Sequence, residues 1–143
     1  MLQSTTKRGL TMKKEMIVPK GMEASAERYH YAPAIKVGNT IWVAGQAGIK
    51  ANGEIPKSLE EQTHLAFQKL QQVLEAAGAS LDDIVELVSY HVDFPNGAQT
   101  IMAVKDQYIR GTYPTWTGLG VTSLVAPGLL IEIKAMAVVG CGG

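Results

Sequence analysis

The sequence predicts an α+β fold, a two-layer sandwich in which two helices cover one face of a mixed β-sheet. Short runs of alternating apolar and polar residues are typical of strands, and two longer segments have apolar residues at helical spacing. Glycine, proline and asparagine stand between these segments. At 143 residues, of which 46% are hydrophobic, the chain has the size and apolar content of a single domain, predicted here to span residues 15–143.

The first three predicted strands cover residues 16–18, 32–37 and 40–44. Gly38 and Asn39 separate the last two, and two such residues between strand-like runs indicate a tight hairpin. Residues 1–14 are basic and rich in hydroxyl groups but lack the apolar segment of a secretory signal, so we expect a disordered tail. A mitochondrial-type targeting segment is the alternative interpretation of this tail.

The first predicted helix begins at Ser58 and ends at Gly78. Ser58 and Glu61 have the spacing of a capping box, in which a hydroxyl group and a carboxylate satisfy free N–H groups at the helix start. Glycine can adopt the left-handed conformation that commonly ends a helix. The apolar residues between these ends fall mostly at helical spacing, which predicts that one helix face packs on the sheet.

A strand is predicted at residues 84–93, and a second helix runs from Asn96 to about Ile109. The apolar stripe of this helix consists of Ala98, Ile101, Met102, Tyr108 and Ile109. Lys105 occupies one position of the same stripe. Either its stem packs while the ammonium group reaches water, or the side chain enters a pocket where an anion, or a carboxylate such as Glu132, compensates the charge.

The last two strands are predicted at residues 116–124 and 129–139. Odd positions of the final strand are all apolar, whereas Glu132 and Lys134 occupy even positions. Because side chains alternate between the two faces of a strand, Glu132 points away from the core. It is either a charge on a solvated face or a functional carboxylate. Large residues such as Trp42 or Trp116 on the uncovered face predict a homo-oligomer.

The composition excludes several classes of function. Thirteen basic residues balance thirteen acidic ones, so a nucleic-acid partner is not expected. The single Cys141 cannot form an intramolecular disulfide, and no apolar run approaches the roughly 20 residues that span a bilayer. We therefore expect a cytoplasmic protein without membrane contact. Its three histidines have no partners at metal-ligand spacing and no glycine-rich phosphate loop is present, so neither a metal nor another cofactor is predicted.

From about residue 17 to residue 139 the chain resembles the reactive intermediate deaminase (Rid, or YjgF) family, and within it the YjgH-like branch. The matching residues, in order, are Tyr31, Gly38-Asn39, Val43-Ala44-Gly45-Gln46, Ala76-Ala77-Gly78, Asp82-Asp83-Ile84, Tyr113-Pro114 and Ile131-Glu132-Ile133-Lys134-Ala135-Met136-Ala137. The resemblance implies a chorismate-mutase-like fold and a homotrimer whose sheets form a central barrel. It also implies three small-molecule clefts, each lined by two subunits.

The resemblance also implies roles for individual residues. In deaminating members of the family, a glutamate in an Ile-Glu-Ile segment positions the water that hydrolyses 2-aminoacrylate-type enamines and imines. This glutamate matches Glu132, and the pocket tyrosine of the family matches Tyr31. A backbone group near Gly45 or Trp116 is expected to help Tyr31 orient the substrate.

Three positions depart from the deaminating members. Trp116 stands where those members have a carboxylate-binding arginine, Lys105 replaces an asparagine, and Gly118 replaces a cysteine. An indole cannot supply the bidentate fork of a guanidinium group. Trp116 is then either a stacking wall for a flat or apolar ligand or a packing residue at a subunit interface. Lys105 is the substitute cation, and we expect it to line the same cleft as Glu132, from one subunit or across two.

Three functions follow as hypotheses. The first is hydrolysis of imines, enamines or related small molecules, with Glu132 as general base. The second is a non-catalytic trimer that binds a small metabolite in the same cleft, because the arginine clamp is lost but the cavity is kept. The third, ribonuclease action, is disfavoured by the zero net charge and by the lack of a stripe of interleaved basic and aromatic residues.

Overall fold

The structure is a computed structural model that describes residues 12–143, so most of the predicted tail, residues 1–11, lies outside the described part. Its strands are β1 (Glu15–Ile17), β2 (Ala34–Val37), β3 (Thr40–Ala47), β4 (Ile84–Val92), β5 (Thr115–Val121) and β6 (Ile131–Val138). Its α-helices are α1 (Glu23–Tyr29), α2 (Leu59–Ala76) and α3 (Phe94–Tyr108), and a 3₁₀ turn covers Leu81–Asp83.

The strands form one sheet in the order β1-β2-β3-β6-β4-β5. Neighbouring strands are antiparallel except β4 and β5, which are parallel. Helix α2 packs on β3 and β6, and α3 packs on α2. The predicted α+β fold with a mixed sheet is therefore confirmed, as is the turn at Gly38 and Asn39, since Val37 pairs with Thr40 on either side of it.

We call the sheet face toward α2 and α3 the inner face, and the opposite face the outer face. The odd residues of β6 from Ile131 to Ala137 are at most 5% exposed and lie on the inner face. The even residues from Glu132 to Val138 are more exposed and lie on the outer face. This alternation was predicted from the sequence, and it places Glu132 away from the core.

Helix α2 begins and ends where the sequence indicated. The Ser58 hydroxyl oxygen accepts a hydrogen bond from the Glu61 N–H at 3.2 Å, and Gly78 has a φ of +87° just after the helix. Gln62, which is fully buried, ties this helix to the entry of β6. Its Nε2 group donates to the carbonyls of Pro56 and Gly128, at 2.7 and 2.9 Å, and its Oε1 atom accepts from the Leu130 N–H at 2.8 Å.

Helix α1 was not predicted. It has seven residues and buries only Ala26, so it carries no apolar stripe that a periodicity search could detect. The helix ends at His30, which adopts the left-handed conformation with a φ of 52°.

The predicted stripe of α3 was wrong in part. Met102 is 40% exposed, whereas Gly97, Ile101 and Val104 are buried. The buried face of α3 therefore runs along these three positions, and Lys105 lies at the edge of that face, with 16% of its side chain exposed.

Candidate functional site

Glu132 lies on the outer face between two strands. It pairs with Ala47 of β3 on one side and with Tyr90 of β4 on the other. Side chains of directly paired residues share a face of the sheet and lie within reach of each other. The Tyr90 phenol ring is therefore a neighbour of the Glu132 carboxylate.

A β-bulge in β3 makes room for this carboxylate. Between Val43 and Gln46, β3 contains one residue more than the opposite segment of β6. A Cβ atom on Gly45, inside the bulge, would lie only 2.7 Å from Cδ of Glu132. Any side chain at Gly45 would displace the carboxylate, and bulges of this kind are common next to active sites.

Tyr31 borders the same face. It is 39% exposed and lines a groove of about 450 Å³ together with Met16 and Ile35, which are direct partners across β1 and β2. Two residues after Tyr31, the Pro33 carbonyl accepts a hydrogen bond from the Ala44 N–H at 2.9 Å. The segment after Tyr31 thus runs beside the bulge that contains Gly45. The structure places three of the predicted site residues on the outer side of the sheet.

The other two predicted site residues lie on the inner side. Trp116 pairs with Leu87, which is 1% exposed, and packs against the core. The prediction that Trp116 could lie on the uncovered face was therefore wrong. Lys105 Nζ stands 4.8 Å from the centre of the Trp116 ring and 3.3 Å from Oδ1 of Asp106.

One subunit consequently does not bring Lys105 and Glu132 together. The sheet separates them, because Lys105 contacts Trp116 on the inner face while Glu132 points from the outer face. The expectation that both line one cleft of a single subunit was wrong, and the version in which they meet across two subunits stays a prediction. The Lys105 ammonium group contacts the face of the Trp116 indole and the Asp106 carboxylate, not Glu132.

A hydrogen-bonded chain runs behind Trp116 on the inner face. The Trp116 Nε1–H donates to the Ser89 hydroxyl oxygen at 2.8 Å. The same oxygen lies 2.6 Å from Nε2 of His91. Ser89 and His91 are 2% and 0% exposed. Burial lowers the pKa of His91 to about 4, so the ring is neutral at pH 7.

Phe94, at the start of α3, packs against the hydrogen-bonded residues His91 and Trp116. The Phe94 ring meets the His91 ring edge-on, with centroids 4.1 Å apart, and lies 6.5 Å from the Trp116 ring. Gly118 leaves space for Phe94, because a Cβ atom there would lie 2.3 Å from the Phe94 ring. Gly118, where the resemblance implied a cysteine in deaminating members, therefore accompanies an aromatic ring that fills the space beside it.

Sequence reasoning missed Tyr90, Ser89, His91 and Phe94 as site neighbours. Ser89 and His91 are two residues apart on a strand, a spacing that puts them on one face, but the sequence was searched for histidines only as metal ligands. Tyr90 became a neighbour of Glu132 only through the register between β4 and β6, which no local pattern reveals.

Two further properties concern residues 12–143 only. No group of three or more histidine, cysteine, aspartate or glutamate side chains there is arranged to hold a metal ion. In the same range, no helix has the length and apolar character required to cross a membrane.

The chain is similar to known proteins along most of its length. A profile of the family described as endoribonuclease L-PSP matches residues 22–139. The RutC family protein YjgH of Escherichia coli (strain K12) is 36% identical over 122 residues, which cover 85% of this chain and 92% of that protein. The 2-iminobutanoate/2-iminopropanoate deaminase of Dermatophagoides farinae is 27% identical over 111 residues, covering 76% and 85%. A solved structure of protein YJGH has a TM-score of 0.80 at 35% identity and covers 88% of this chain and 96% of its own.

Proposed function

Because this chain belongs to the endoribonuclease L-PSP family, the Rid/YjgF proteins, and has their chorismate-mutase-like fold, we propose that it hydrolyses imines, enamines or related small metabolites. The observation that carries this proposal is the position of Glu132, whose carboxylate rests on the glycine of a β-bulge at the outer face. The carboxylate lies beside the backbone of the bulge on a partly exposed face, where water can reach it.

The proposed reaction needs one base and one water molecule. Glu132 accepts a proton from water while the water oxygen adds to the imine carbon, and the imine nitrogen takes up a proton to give a carbinolamine. Glu132 gives its proton to the carbinolamine nitrogen, the C–N bond breaks with loss of ammonia, and the hydroxyl proton passes to solvent as the C=O bond forms. An enamine enters the same path after protonation at carbon. General bases of this kind typically contribute about 10²- to 10⁴-fold in rate.

The substrate is a small molecule bound in a cleft between subunits of a homotrimer. We propose that the outer side of one subunit, with Tyr31, Gly45 and Glu132, faces the side of a neighbour that carries Lys105 and Trp116. Tyr31 and the backbone at Gly45 would orient the substrate. This arrangement would unite the two groups that one subunit keeps apart.

We expect slow hydrolysis of 2-aminoacrylate-type imines. These substrates carry a carboxylate, and Trp116 stands where a bidentate arginine clamp is expected from the resemblance. Losing a buried charge-assisted contact of this type costs roughly 2 to 5 kcal/mol. Imines without a carboxylate do not depend on that clamp. Compared with an arginine-bearing family member, the chain is therefore expected to be slower on imines that carry a carboxylate but not on imines that lack one.

The test is ammonia release from a panel of imines, with and without a carboxylate, by the wild type and by Glu132→Gln. The amide keeps the size of the carboxylate but cannot accept the proton, so turnover is expected to fall about 100-fold or more. Binding of the same compounds, measured by calorimetry, is expected to persist.

Glu86→Gln is the matched control. Glu86 is also on the outer face, opposite Met136, but has no contact with the bulge at Gly45, and its variant is expected to keep wild-type turnover. Wild-type activity in Glu132→Gln would contradict the assigned base. Saturable binding by a wild type that hydrolyses nothing in the panel would instead support the alternative, a non-catalytic metabolite-binding protein.

A further inference from the structure

We propose that Ser89 and His91 are positioning residues, which hold the Trp116 indole in place so that Lys105 presents its ammonium group to an anionic ligand. The proposal deepens the proposed function, on which it rests only for the assumption that a small ligand binds this protein. It concerns the residues around Trp116 on the inner side of the sheet.

The proposal assigns the donors and acceptors of Trp116, Ser89 and His91 in one order, in which the Ser89 hydroxyl group donates to His91. An indole N–H can only donate, so the Ser89 oxygen accepts from Trp116. The hydroxyl proton of Ser89 is then free to donate to Nε2 of His91, 2.6 Å away. This places the proton of the neutral imidazole on Nδ1, and His91 Nδ1 is the one buried side-chain nitrogen or oxygen of the described residues without a hydrogen-bond partner.

The unpaired Nδ1 of His91 indicates which hydrogen bond the structure favours. A buried polar atom without a partner typically costs roughly 1 to 3 kcal/mol. A rotation of the His91 ring would move Nε2 away from the Ser89 hydroxyl group, and Ser89 would then be held less firmly as the acceptor for Trp116. The structure thus keeps the hydrogen bond that serves the indole and leaves the far side of His91 unsatisfied.

The indole in turn fixes the position of a cation. Lys105 Nζ lies 4.8 Å from the ring centre, within the range of an attractive cation–π contact. Its charged partner is Asp106 at 3.3 Å, a neighbour in sequence whose own side chain is 73% exposed. Pairs with an exposed carboxylate contribute little. An ammonium group has three donors, so Lys105 retains donors for a ligand after bonding to Asp106.

The chemistry points to a small oxyanion, a carboxylate or a phosphate group. A lysine is a point charge without the planar fork of arginine, so it does not require a bidentate carboxylate. Phe94 over Gly118 and the Trp116 ring provide an apolar wall beside this charge. A ligand with an anionic group and an apolar body fits this combination.

The first experiment follows the Trp116 indole N–H signal of the full-length protein by NMR, with the signal assigned by comparison with Trp42→Phe. Inorganic phosphate and acetate are titrated separately at constant ionic strength. We expect a saturable shift with at least one of them, and the preferred anion identifies the oxyanion class. Lys105→Met should weaken this binding roughly tenfold or more, as expected for loss of a hydrogen bond to a charged group. Absence of any saturable shift in the wild type would overturn the proposal.

Lys57→Met is the matched control, because Lys57 is exposed in a loop, and this variant is expected to bind like the wild type. Equal binding by the Lys105→Met variant and the wild type would also overturn the proposal. Lys105→Met does not alter the hydrogen bonds among Trp116, Ser89 and His91. It therefore tests the role of the lysine even if a variant of Ser89 fails to fold.

The second experiment tests the positioning residues. Ser89→Ala removes the acceptor, so the indole N–H signal is expected to move upfield and anion affinity to fall roughly tenfold. Ser89→Thr keeps a hydroxyl group and is expected to restore both. Nitrogen-15 shifts of His91 should show the proton on Nδ1. An unchanged indole signal in Ser89→Ala, or a proton on Nε2 of His91, would contradict the assigned roles.

The two proposals can fail separately. Glu132→Gln is expected to abolish turnover but to keep saturable anion binding, because Lys105 and Trp116, the groups proposed to bind the anion, are unchanged. Anion binding without imine hydrolysis would refute the proposed function alone. Hydrolysis that persists at the wild-type rate in a Lys105→Met variant with unchanged anion affinity would refute the present proposal alone.

Discussion

Lys105 shows how a single charged residue can be accommodated at the edge of a core. The helical spacing placed Lys105 within an apolar stripe, and a charge in that position requires a partner. In the structure, the buried face of α3 contains Ile101 and Val104, and the Lys105 ammonium group lies over the Trp116 ring. A contact of this kind is worth about 0.5 to 2 kcal/mol, depending on exposure. The partner is thus an aromatic ring, a group that charge-pairing rules alone do not suggest.

His91 predicts a pH dependence of stability. Its pKa is lowered from 6.5 to about 4 by burial, so the unfolded chain binds the proton more readily than the folded one. Stability from this residue is complete above pH 6.5, falls as pH decreases toward 4, and levels off below that value. The loss is expected to be about 3 kcal/mol in the free energy of unfolding, measured by urea denaturation at fixed protein concentration between pH 7 and pH 4.

The control for this prediction is a histidine at an exposed position. His91→Gln is expected to abolish the pH-dependent loss, whereas His30→Asn, which suits the left-handed conformation at that site, should retain it. Asp83 contributes its own pH dependence of stability, at lower pH than His91. Burial alone would raise its pKa, but hydrogen bonds from the backbone of Gly142, Gly140 and Ser80 lower it below 3.8. A His91→Gln variant with the full wild-type pH dependence would refute the assignment.

At the scale of elements, the contact between α3 and β5 depends on one missing side chain. Gly118→Ala would place a Cβ atom 2.3 Å from the Phe94 ring, so Phe94 must move away from His91 and Trp116. Overpacking of this kind typically costs about 1 to 3 kcal/mol. We expect a loss of that size in the free energy of unfolding by urea denaturation, with an altered Trp116 indole signal.

The same strand supplies the matched control for this change. Gly120 is two residues further along and faces the same side, and a Cβ atom there would meet nothing within 4 Å. Gly120→Ala is therefore expected to change stability by less than about 0.5 kcal/mol. Equal effects of the two substitutions would show that strand propensity, and not Phe94, determines the cost at Gly118.

At the scale of the whole molecule, the outer face is too apolar to remain uncovered. Met16, Ile35, Trp42 and Met136 are cross-strand partners in one row. Met16 and Trp42 are 62% and 46% exposed. Contiguous apolar surface of this kind marks an interaction site. We expect a homotrimer at micromolar concentration by sedimentation equilibrium, and dissociation to a monomer in Trp42→Glu.

Ala76→Glu is the control for assembly, because Ala76 is exposed on α2, away from both the outer face and the surface that carries Lys105. This variant is expected to remain a trimer. A wild-type monomer, or a Trp42→Glu variant that still forms trimers, would contradict an interface on the outer face.

Local patterns in the amino-acid sequence were enough to predict the fold class and nearly every element. Period-two patterns identified the strands, Ser58 and Gly78 marked the ends of α2, and the alternation in β6 assigned Glu132 to the face away from the core. These features depend on neighbours within a few residues, so local patterns reveal them. The short helix α1 was missed because a single buried alanine leaves no periodic signal.

Which site residues meet depends on contacts between distant parts of the chain. Strand register made Tyr90 a neighbour of Glu132, the bulge brought Gly45 against the carboxylate, and the pairing of Trp116 with Leu87 put the indole on the inner face. Register shifts by a single residue exchange the two faces of a strand, and no pattern within one strand sets its partner's offset. The separation of Lys105 from Glu132 therefore follows from long-range pairing, which the order of residues along the chain does not specify.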